Sequence, residues 1–452
     1  MEEKVIRHPK VVLIGAGSLY FGRQAIWAMT TSPYLNKGTL ALVDTNEKTL
    51  EKMKKLAYMV KEANDVELKI EASTERKDVL AGADFVVLSF AERSVYYRGI
   101  DCQVSAKYGI RMCSGDTIGP GGIFRAMREF PVILECASDI EVLCPDAWVI
   151  NYINPTAVHG IGLRRYAPGL KSFALCDGLH MPHVKKNYAI RAGVNVDLFD
   201  LRIAGVNHFT WILKAGYEGR DVAPVIAKSL KEEAARETDG GDTGAKAKYN
   251  STISYELYDI FGYIPACVGH TKEYVRFWQG KNISAEKIPP LSLWETEERY
   301  IRHADMWKQV DDLIEGKVPA AEFMKMTRAD HATDIIESMV ADLGKRFYIN
   351  TFNNGAVTNM NDDSFLELQC DVSMDGIKTL PVGEMPRGIR GMEEQVLDTH
   401  ELTAEAIAKG SYSLLRRAMM TDPLVCSISD ADAIIKELLD AEKEQIPVRW
   451  HK

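Results

Sequence analysis

Gly15, Gly17 and Ser18 stand directly after an apolar run, Lys10 to Ile14, with Gly22 further on and Asp44 at the end of the next apolar run. That arrangement suits a dinucleotide. Gly15 would make the tight turn, and Gly17 would let the backbone approach a pyrophosphate at the start of a helix. Asp44 would accept hydrogen bonds from an adenosine ribose, which favours NAD over NADP. Ser89, closing a further apolar run, is assigned to the same cofactor site. The third glycine is not at the usual spacing, since Leu19 and Tyr20 stand there. A glycine-rich turn without ligand fits the same residues, and an aspartate also suits an ordinary strand-end turn.

Five more segments put polar residues where buried strands should end. They are Arg98-Gly-Ile-Asp101, Gly115-Asp116-Thr-Ile-Gly-Pro-Gly-Gly122, Asn151-Tyr-Ile-Asn154-Pro155, Cys176-Asp177-Gly178 and Gly205-Val-Asn207-His208. In an open α/β sheet the ligand lies outside the carboxyl ends of the strands, so Asn154, Cys176, Asp177 and His208 can converge there. One thiolate and one imidazole make an incomplete metal site. Catalytic sites keep positions open, and water or a substrate oxygen can complete a divalent ion. Packing of Cys176 and His208 in the core is the alternative.

The elements that would position these residues follow from the pattern. Lys10–Ile14, Thr39–Val43, Asp84–Ser89 and Trp148–Asn151 are short continuous apolar runs separated by helical stretches, among them one with Leu50, Met53, Leu56 and Val60 at helical spacing. Such runs are what a parallel sheet covered on both faces requires. Residues 1–190 are therefore read as a Rossmann-type doubly wound α/β domain. Residues 191–452 are read as an α+β second domain carrying substrate, metal and oligomer contacts. In it Leu201–Val206 extends a sheet, and Glu232–Lys248 is a polar loop around Asp239-Gly240-Gly241. Ser251–Phe261 and Met306–Lys345 are helical, Arg346–Val382 mixes short strands with turns, and Thr399–Met420 is one long helix.

Composition bounds the function. Of 452 residues, 46% are hydrophobic and 26% charged, which is a globular balance. The 55 basic against 64 acidic residues give a formal net charge of -9, which disfavours a nucleic-acid partner. The eight cysteines contain no CxxC pair, and Met1 to Gly17 runs from a charged leader straight into a strand. The expectation is a cytoplasmic protein with reduced thiols and no membrane partner.

The run GDTIGPGGIFRAMREFPVI, then VINYINPTAV, FALCDG, AGVNHFTW and NNGAVTN, resembles the successive motifs of family 4 glycoside hydrolases. The resemblance extends from Val11 to about Pro423 in family order. It implies a fold related to lactate and malate dehydrogenases, an NAD cofactor, a divalent metal such as Mn2+, and a homodimer or homotetramer. The family is an exception to two-carboxylate glycoside hydrolysis. The resemblance implies hydride removal at C3, loss of the C2 proton, departure of the aglycone, addition of water and return of the hydride. A carbon-bound proton is too weakly acidic for a side chain unless an adjacent carbonyl and a Lewis acid stabilise the anion.

Carried over by position, the resemblance makes Cys176 and His208 metal ligands and Tyr255 the base, with Asp116 assisting it. Asp177 stands where 6-phospho-α-glucosidases carry an aspartate proton donor and many other members carry histidine. Asn154 and Asn207 are assigned to substrate. Arg98 matches a phosphate-reading arginine of phospho-specific members, and Lys272 stands where those members have a second arginine. Lysine gives a point charge without a fork. Glu273-Tyr274-Val275 and the Gly-Asp-Thr-Ile-Gly-Pro-Gly-Gly run instead resemble the galactosidase and galacturonidase branch. The mixture implies α-glycosides of an anionic sugar, a uronic acid ahead of a 6-phosphate. A neutral α-glycosidase of the family and a non-hydrolytic sugar or hydroxy-acid dehydrogenase are the alternatives. His180 and His183 read as surface-loop residues, and a solvated surface charge is the other reading of both cations.

Overall fold

The computed structural model describes residues 8–181, 183–237, 250–279, 294–326 and 330–451. Six strands of its first half are parallel: β1 (Lys10–Ile14), β2 (Thr39–Val43), β3 (Lys69–Ser73), β4 (Phe85–Leu88), β5 (Trp148–Asn151) and β6 (Lys171–Ala174). Their spatial order is β3-β2-β1-β4-β5-β6, with Val12 paired to Ala41 on one side and to Val86 on the other. The order reverses between β1 and β4, which opens a crevice at their carboxyl ends. The central strands are apolar throughout because helices cover both faces. The helix Glu47–Ala63 shows how: Leu50, Met53, Leu56, Ala57 and Val60 are its buried stripe, and the Asn46 side chain caps its start by accepting from Thr49 N.

Seven further strands follow: β7 (Phe199–Gly205), β8 (Trp211–Tyr217), β9 (Arg220–Asp221), β10 (Ile264–Pro265), β11 (Arg346–Phe352), β12 (Phe365–Ser373) and β13 (Gly376–Thr379). They continue the same sheet past the division expected near residue 190, in the order β6-β11-β12-β7-β8-β10. The change from parallel to antiparallel pairing occurs at one residue pair, Ala174↔Asn350. Along one row Asn350 also faces Glu367, and Glu367 faces Gly205. Among the described residues no helix is long and apolar enough to cross a membrane.

Three local expectations change. Thr399–Met420 is two helices, because Ile389–Lys409 ends at Gly410 with φ 61° and Ser411 then caps Tyr412–Thr421. Glu232–Glu237, expected in a loop, close the helix Ala223–Glu237, whose buried Ile226, Ala227 and Leu230 supply a stripe that the polar tail continues. Residues 238–248 of that expected loop lie outside the described residues. The stretch Met306–Lys345 holds three helices, Thr296–Ile314, Ala320–Met326 and His331–Val340, divided after Ile314 by Gly316 with φ 73° and restarted by the Asp330 cap.

The longest helix, Gly119–Leu143, is buried continuously from Gly119 to Phe130. Its first amide has no intrahelical partner, and Asp422 accepts from Gly119 N at 2.8 Å and from Leu424 N at 2.9 Å. Burial pushes the Asp422 carboxyl up to about 7 from an ordinary 3.8. An acid raised on folding is stabilising while it stays neutral. Relative to an unfolded chain that ionises near 3.8, each pH unit up to about 7 removes at most about 1.4 kcal/mol. Thermal melts of wild type and Asp422→Asn from pH 5 to 8 should therefore show the wild type losing ground until about pH 7 and a constant difference above it. A difference that stays constant over the whole range would remove this role from Asp422.

Candidate active site

The turn after β1 is built around close backbone approaches. Gly15 has φ +93°, and a Cβ on it would stand 2.6 Å from the Ser89 carbonyl carbon. Gly17 N donates to Asp44 Oδ2 at 2.8 Å, and a Cβ there would stand 2.3 Å from Thr49 Cγ2. Gly22, not a residue at the Leu19–Tyr20 spacing, is the third close approach, its α-carbon packing over the Ala16 carbonyl. It opens the helix Gly22–Thr31, so the turn feeds a helix N-terminus as a pyrophosphate requires. Ser89 Oγ donates to Gly15 O at 3.3 Å, and Ser18 Oγ accepts from Phe21 N at 3.3 Å. Asp44 is half-buried and its other oxygen accepts from Asn46 N, so it organises both ends of the turn.

Next to this crevice lies a buried carboxylate. Asp116 Oδ2 accepts from Arg125 Nη1 at 2.8 Å and Asn154 Nδ2 at 3.2 Å, and forms an ion pair with Arg98 Nη2 at 3.1 Å. Burial alone would raise its pKa, but Arg98 and Arg125, helped by His270 and His208, hold it well below the usual carboxylate range. Its Oδ1 is buried without a hydrogen-bond partner among the described residues. Arg98 has little left for a ligand: it also donates to Ser114 O and Oγ, and its guanidinium lies 4.0 Å above the Trp294 ring. The loop presenting Asp116 is held by Glu273, whose Oε1 accepts from the amides of Cys113, Ser114 and Gly115. No local pattern distinguishes Glu273 as this clamp.

Cys176 and His208 meet. Cys176 follows β6 and His208 follows β7, and Sγ lies 2.7 Å from Nε2. Burial and the neighbouring His270 lower the His208 pKa well below its usual value, while burial, with Glu367 and Cys267, raises the Cys176 thiol. The pair is therefore a neutral thiol on a neutral imidazole until a cation arrives. His208 takes φ +66°, a conformation uncommon outside glycine, and its ring stacks on His270 at 4.0 Å. The loop is fixed from below: Asn207 Nδ2 donates to Glu367 Oε2 at 3.3 Å, Val206 N donates to Glu393 Oε2 at 2.6 Å, and Tyr274 OH donates to Asn207 O at 2.9 Å. Glu367 is raised to about 8 by burial. Behind Cys176, His331 Nδ1 lies 3.3 Å from its carbonyl and His180 stacks on His331. His180 is thus buried, contrary to a surface-loop reading, whereas His183 is exposed. No three His, Cys, Asp or Glu side chains among the described residues converge as a metal cage. A cation held by Cys176 and His208 would keep open positions.

The other candidates lie around this centre. Asp177 is half-buried directly after Cys176 and opens the short 3-10 helix Asp177–Leu179. Lys272 is no surface charge: it is 2% exposed, and its Nζ donates to Asn250 Oδ1 at 3.3 Å. Among the described residues no carboxylate lies within ion-pair distance of it, unlike Arg98. A cleft of about 700 Å³ is lined by Gly178, beside Cys176, and by Asn250, above Lys272, with Ser251, Ser254 and Arg191 between and beyond. Tyr255 lies half-buried on the helix Asn250–Phe261 with Lys231 Nζ 5.1 Å from its ring centroid. No hydrogen bond or ring contact among the described residues joins Tyr255 to Cys176, His208 or Asp116.

Comparisons with known proteins show the family and the fold. A family model described as "Family 4 glycosyl hydrolase" matches residues 10–187, and its companion, "Family 4 glycosyl hydrolase C-terminal domain", matches residues 203–425. An α-galactosidase of Bacillus subtilis (strain 168) is 28% identical over 97% of this chain and 99% of its own. An α-galacturonidase of Lachnoclostridium phytofermentans is 25% identical over 98% of this chain and 97% of its own. The fold is shared with a 6-phospho-α-glucosidase from gut microorganisms, solved with NAD and Mn2+, at a TM-score of 0.82 and 20% identity over 97% of this chain and 99% of that one.

The glycine cradle makes one direct prediction. Gly17→Ala puts a methyl group against Thr49 and Asp44 and should weaken NADH binding, followed by fluorescence titration, by at least about tenfold, equivalent to about 1.4 kcal/mol. An unchanged Kd would mean that this turn does not carry the dinucleotide.

Proposed function

Because the chain belongs to the family 4 glycosyl hydrolases, we propose that it cleaves α-glycosides of an anionic sugar, a uronic acid ahead of a sugar 6-phosphate. The observation that carries the substrate class is Lys272, a buried lysine whose hydrogen-bond partner among the described residues is an amide oxygen, with no carboxylate among them in ion-pair range. A buried charge without a counter-ion is costly, and an incoming anion would offset that cost. The cleft lined by Gly178, the second residue after Cys176, and by Asn250, the acceptor of Lys272, supports a substrate lying between the two.

The residues fit the groups the reaction needs. The turn at Gly15, Gly17 and Gly22, where a Cβ at each would clash, suits NAD, with Asp44, Ser18 and Ser89 around it. Cys176 and His208 are a sulfur and nitrogen donor pair that a divalent ion could use, and oxygen ligands from sugar and water would supply the donors that Mn2+, the ion in the 6-phospho-α-glucosidase structure, prefers. When bound, NAD+ supplies a hydride acceptor for C3 and the metal a Lewis acid at the C2 and C3 oxygens, so that oxidation, elimination, water addition and re-reduction can follow in turn. Tyr255 is assigned removal of the C2 proton, with Asp116 as the charge that assists it. Asp177 is assigned donation of a proton to the leaving oxygen. Asn154, held against Asp116, orients a sugar hydroxyl, and Asn207 supports the loop that carries His208. Arg98 acts through Asp116 and Ser114, which leaves recognition of the anion to Lys272.

Purified protein with NAD+, Mn2+ and a reductant, assayed on nitrophenyl α-galacturonide, the 6-phosphoglycosides and the neutral α-glycosides, tests the reading. Turnover of the anionic glycosides with solvent deuterium appearing at C2 is expected. Nitrophenol release without NAD+ and metal would sink the mechanism, and steady NADH accumulation would favour a dehydrogenase instead. Cys176→Ser should abolish turnover by weakening metal binding; full activity in that variant would remove the site.

Lys272→Met separates substrate class from chemistry. Loss of one charge-assisted contact should lower kcat/KM on the anionic glycoside by about 10- to 100-fold and leave a neutral glycoside of the same configuration nearly unchanged. An equal fall on both would assign Lys272 to the fold instead.

A further inference from the structure

Cys176 and Cys267 face one another across Gly178. A side-chain carbon on Gly178 would stand 3.3 Å from each of the two sulfurs, so these lie at most twice that distance apart. The missing side chain keeps the path between them clear. Gly178 is itself exposed and lines the large cleft, so a small solute reaches this point. Both cysteines are free, and Cys267 plays no part in the chemistry assigned above. Its segment is tied to the site: Cys267 O accepts from His270 N and Thr271 N, and His270 stacks on His208. Of the other six cysteines, Cys102, Cys136, Cys144 and Cys370 are buried in the main core, Cys113 is half-buried against it and Cys426 is exposed.

We propose that Cys176 and Cys267 form a reversible disulfide that disarms the site under oxidising conditions. The oxidant is a hydroperoxide, and the step is balanced. Cys176 Sγ gives its proton to His208 Nε2, 2.7 Å away, and takes one peroxide oxygen to become a sulfenic acid; the hydroxide released takes that proton and leaves as the first water. The Cys267 sulfur then attacks it, forming the S–S bond and releasing the second water. Two thiols are oxidised, one peroxide is reduced to two waters, and both thiol protons end in the waters. A thiol reductant reverses the change by exchange through a mixed disulfide. The disulfide takes the Cys176 thiolate away from any cation while leaving His208 in place. That consequence rests on the reading of Cys176 as a metal ligand; the disulfide itself does not.

The experiment treats the full-length protein with stoichiometric hydrogen peroxide and maps it by mass spectrometry under non-reducing conditions. The expected product is a crosslinked peptide pair, Cys176 with Cys267, lighter by two hydrogens, that dithiothreitol separates. Cys267→Ser should give no such pair, and its Cys176 should run on to irreversible sulfinic acid. Gly178→Ala, which inserts a methyl between the sulfurs, should slow the crosslink. Cys176 found unlinked in the oxidised wild type, or oxidised identically in wild type and Cys267→Ser, would overturn the proposal. Mn2+ titration of the crosslinked protein separates the two readings. Lost Mn2+ binding supports the disarming step. Full Mn2+ binding by a crosslinked protein overturns the disarming step and removes Cys176 from the metal site, while the crosslink itself stands.

Discussion

The Asp116 carboxylate is the point on which the two halves of the site depend. Arg98 comes from the helix Ser94–Lys107, Arg125 from Gly119–Leu143 and Asn154 from the loop after β5; Arg125 and Asn154 donate to one oxygen of Asp116, and Arg98 pairs with the same oxygen as an ion. Such a buried cluster gains little net stability over apolar packing, yet loss of one partner leaves an uncompensated charge at a cost of about 3–5 kcal/mol. Its value lies in definition of position. Asp116 also sits close enough to His270 and His208 for its charge to be felt at both. The loop that carries it is closed by Glu273 from the second half of the chain, so dinucleotide crevice and metal pair are set by one network.

The sheet explains why Cys176 and His208 can touch at all. Ala174, Asn350, Glu367 and Gly205 form one row across β6, β11, β12 and β7. Three strand spacings separate the ends of that row, about 14 Å. The loops leaving Ala174 and Gly205 must lean inward over Asn350 and Glu367 to bring Sγ and Nε2 to 2.7 Å. That inward lean explains the left-handed φ of His208 and the carboxyl of Glu367 buried under it, which accepts from Asn207. The metal pair is a product of register, with two loops closing over a floor supplied by β12.

Legibility in the sequence followed the range of the interactions. β1, β2, β4 and β5 are readable because burial on both faces leaves unbroken apolar runs. β3, Lys69–Ser73, lies at the edge of the sheet, has only Ile70 buried, and carries no such signal. Gly15, Gly17 and Asp44 are readable as a motif, and the actual third glycine is not, because its role depends on contact with Ala16 rather than on spacing. Glu273 and Glu367 act across more than 150 residues of chain, which no local window contains. Ordered motifs resembling those of a known family singled out Cys176, His208, Asp116 and Lys272, whereas the residues alone left Cys176 and His208 open to a core reading and Lys272 to a surface one.

The two cations show why residue type mattered more than charge count. An arginine offers a planar fork, and Arg98 uses it internally, on Asp116, on Ser114 and on the face of Trp294. A residue with its Nε and Nη2 so committed serves first to fix geometry. Lys272 is the reverse: a lysine whose acceptor among the described residues is one neutral amide, enclosed where solvent screens it little. A net charge of -9 spread over the surface does not alter that local demand, because exposed charges are screened within about 8–10 Å at ordinary ionic strength. Under the reading proposed above, one negative group on the sugar would answer Lys272 and one divalent cation would answer the Cys176 and His208 pair.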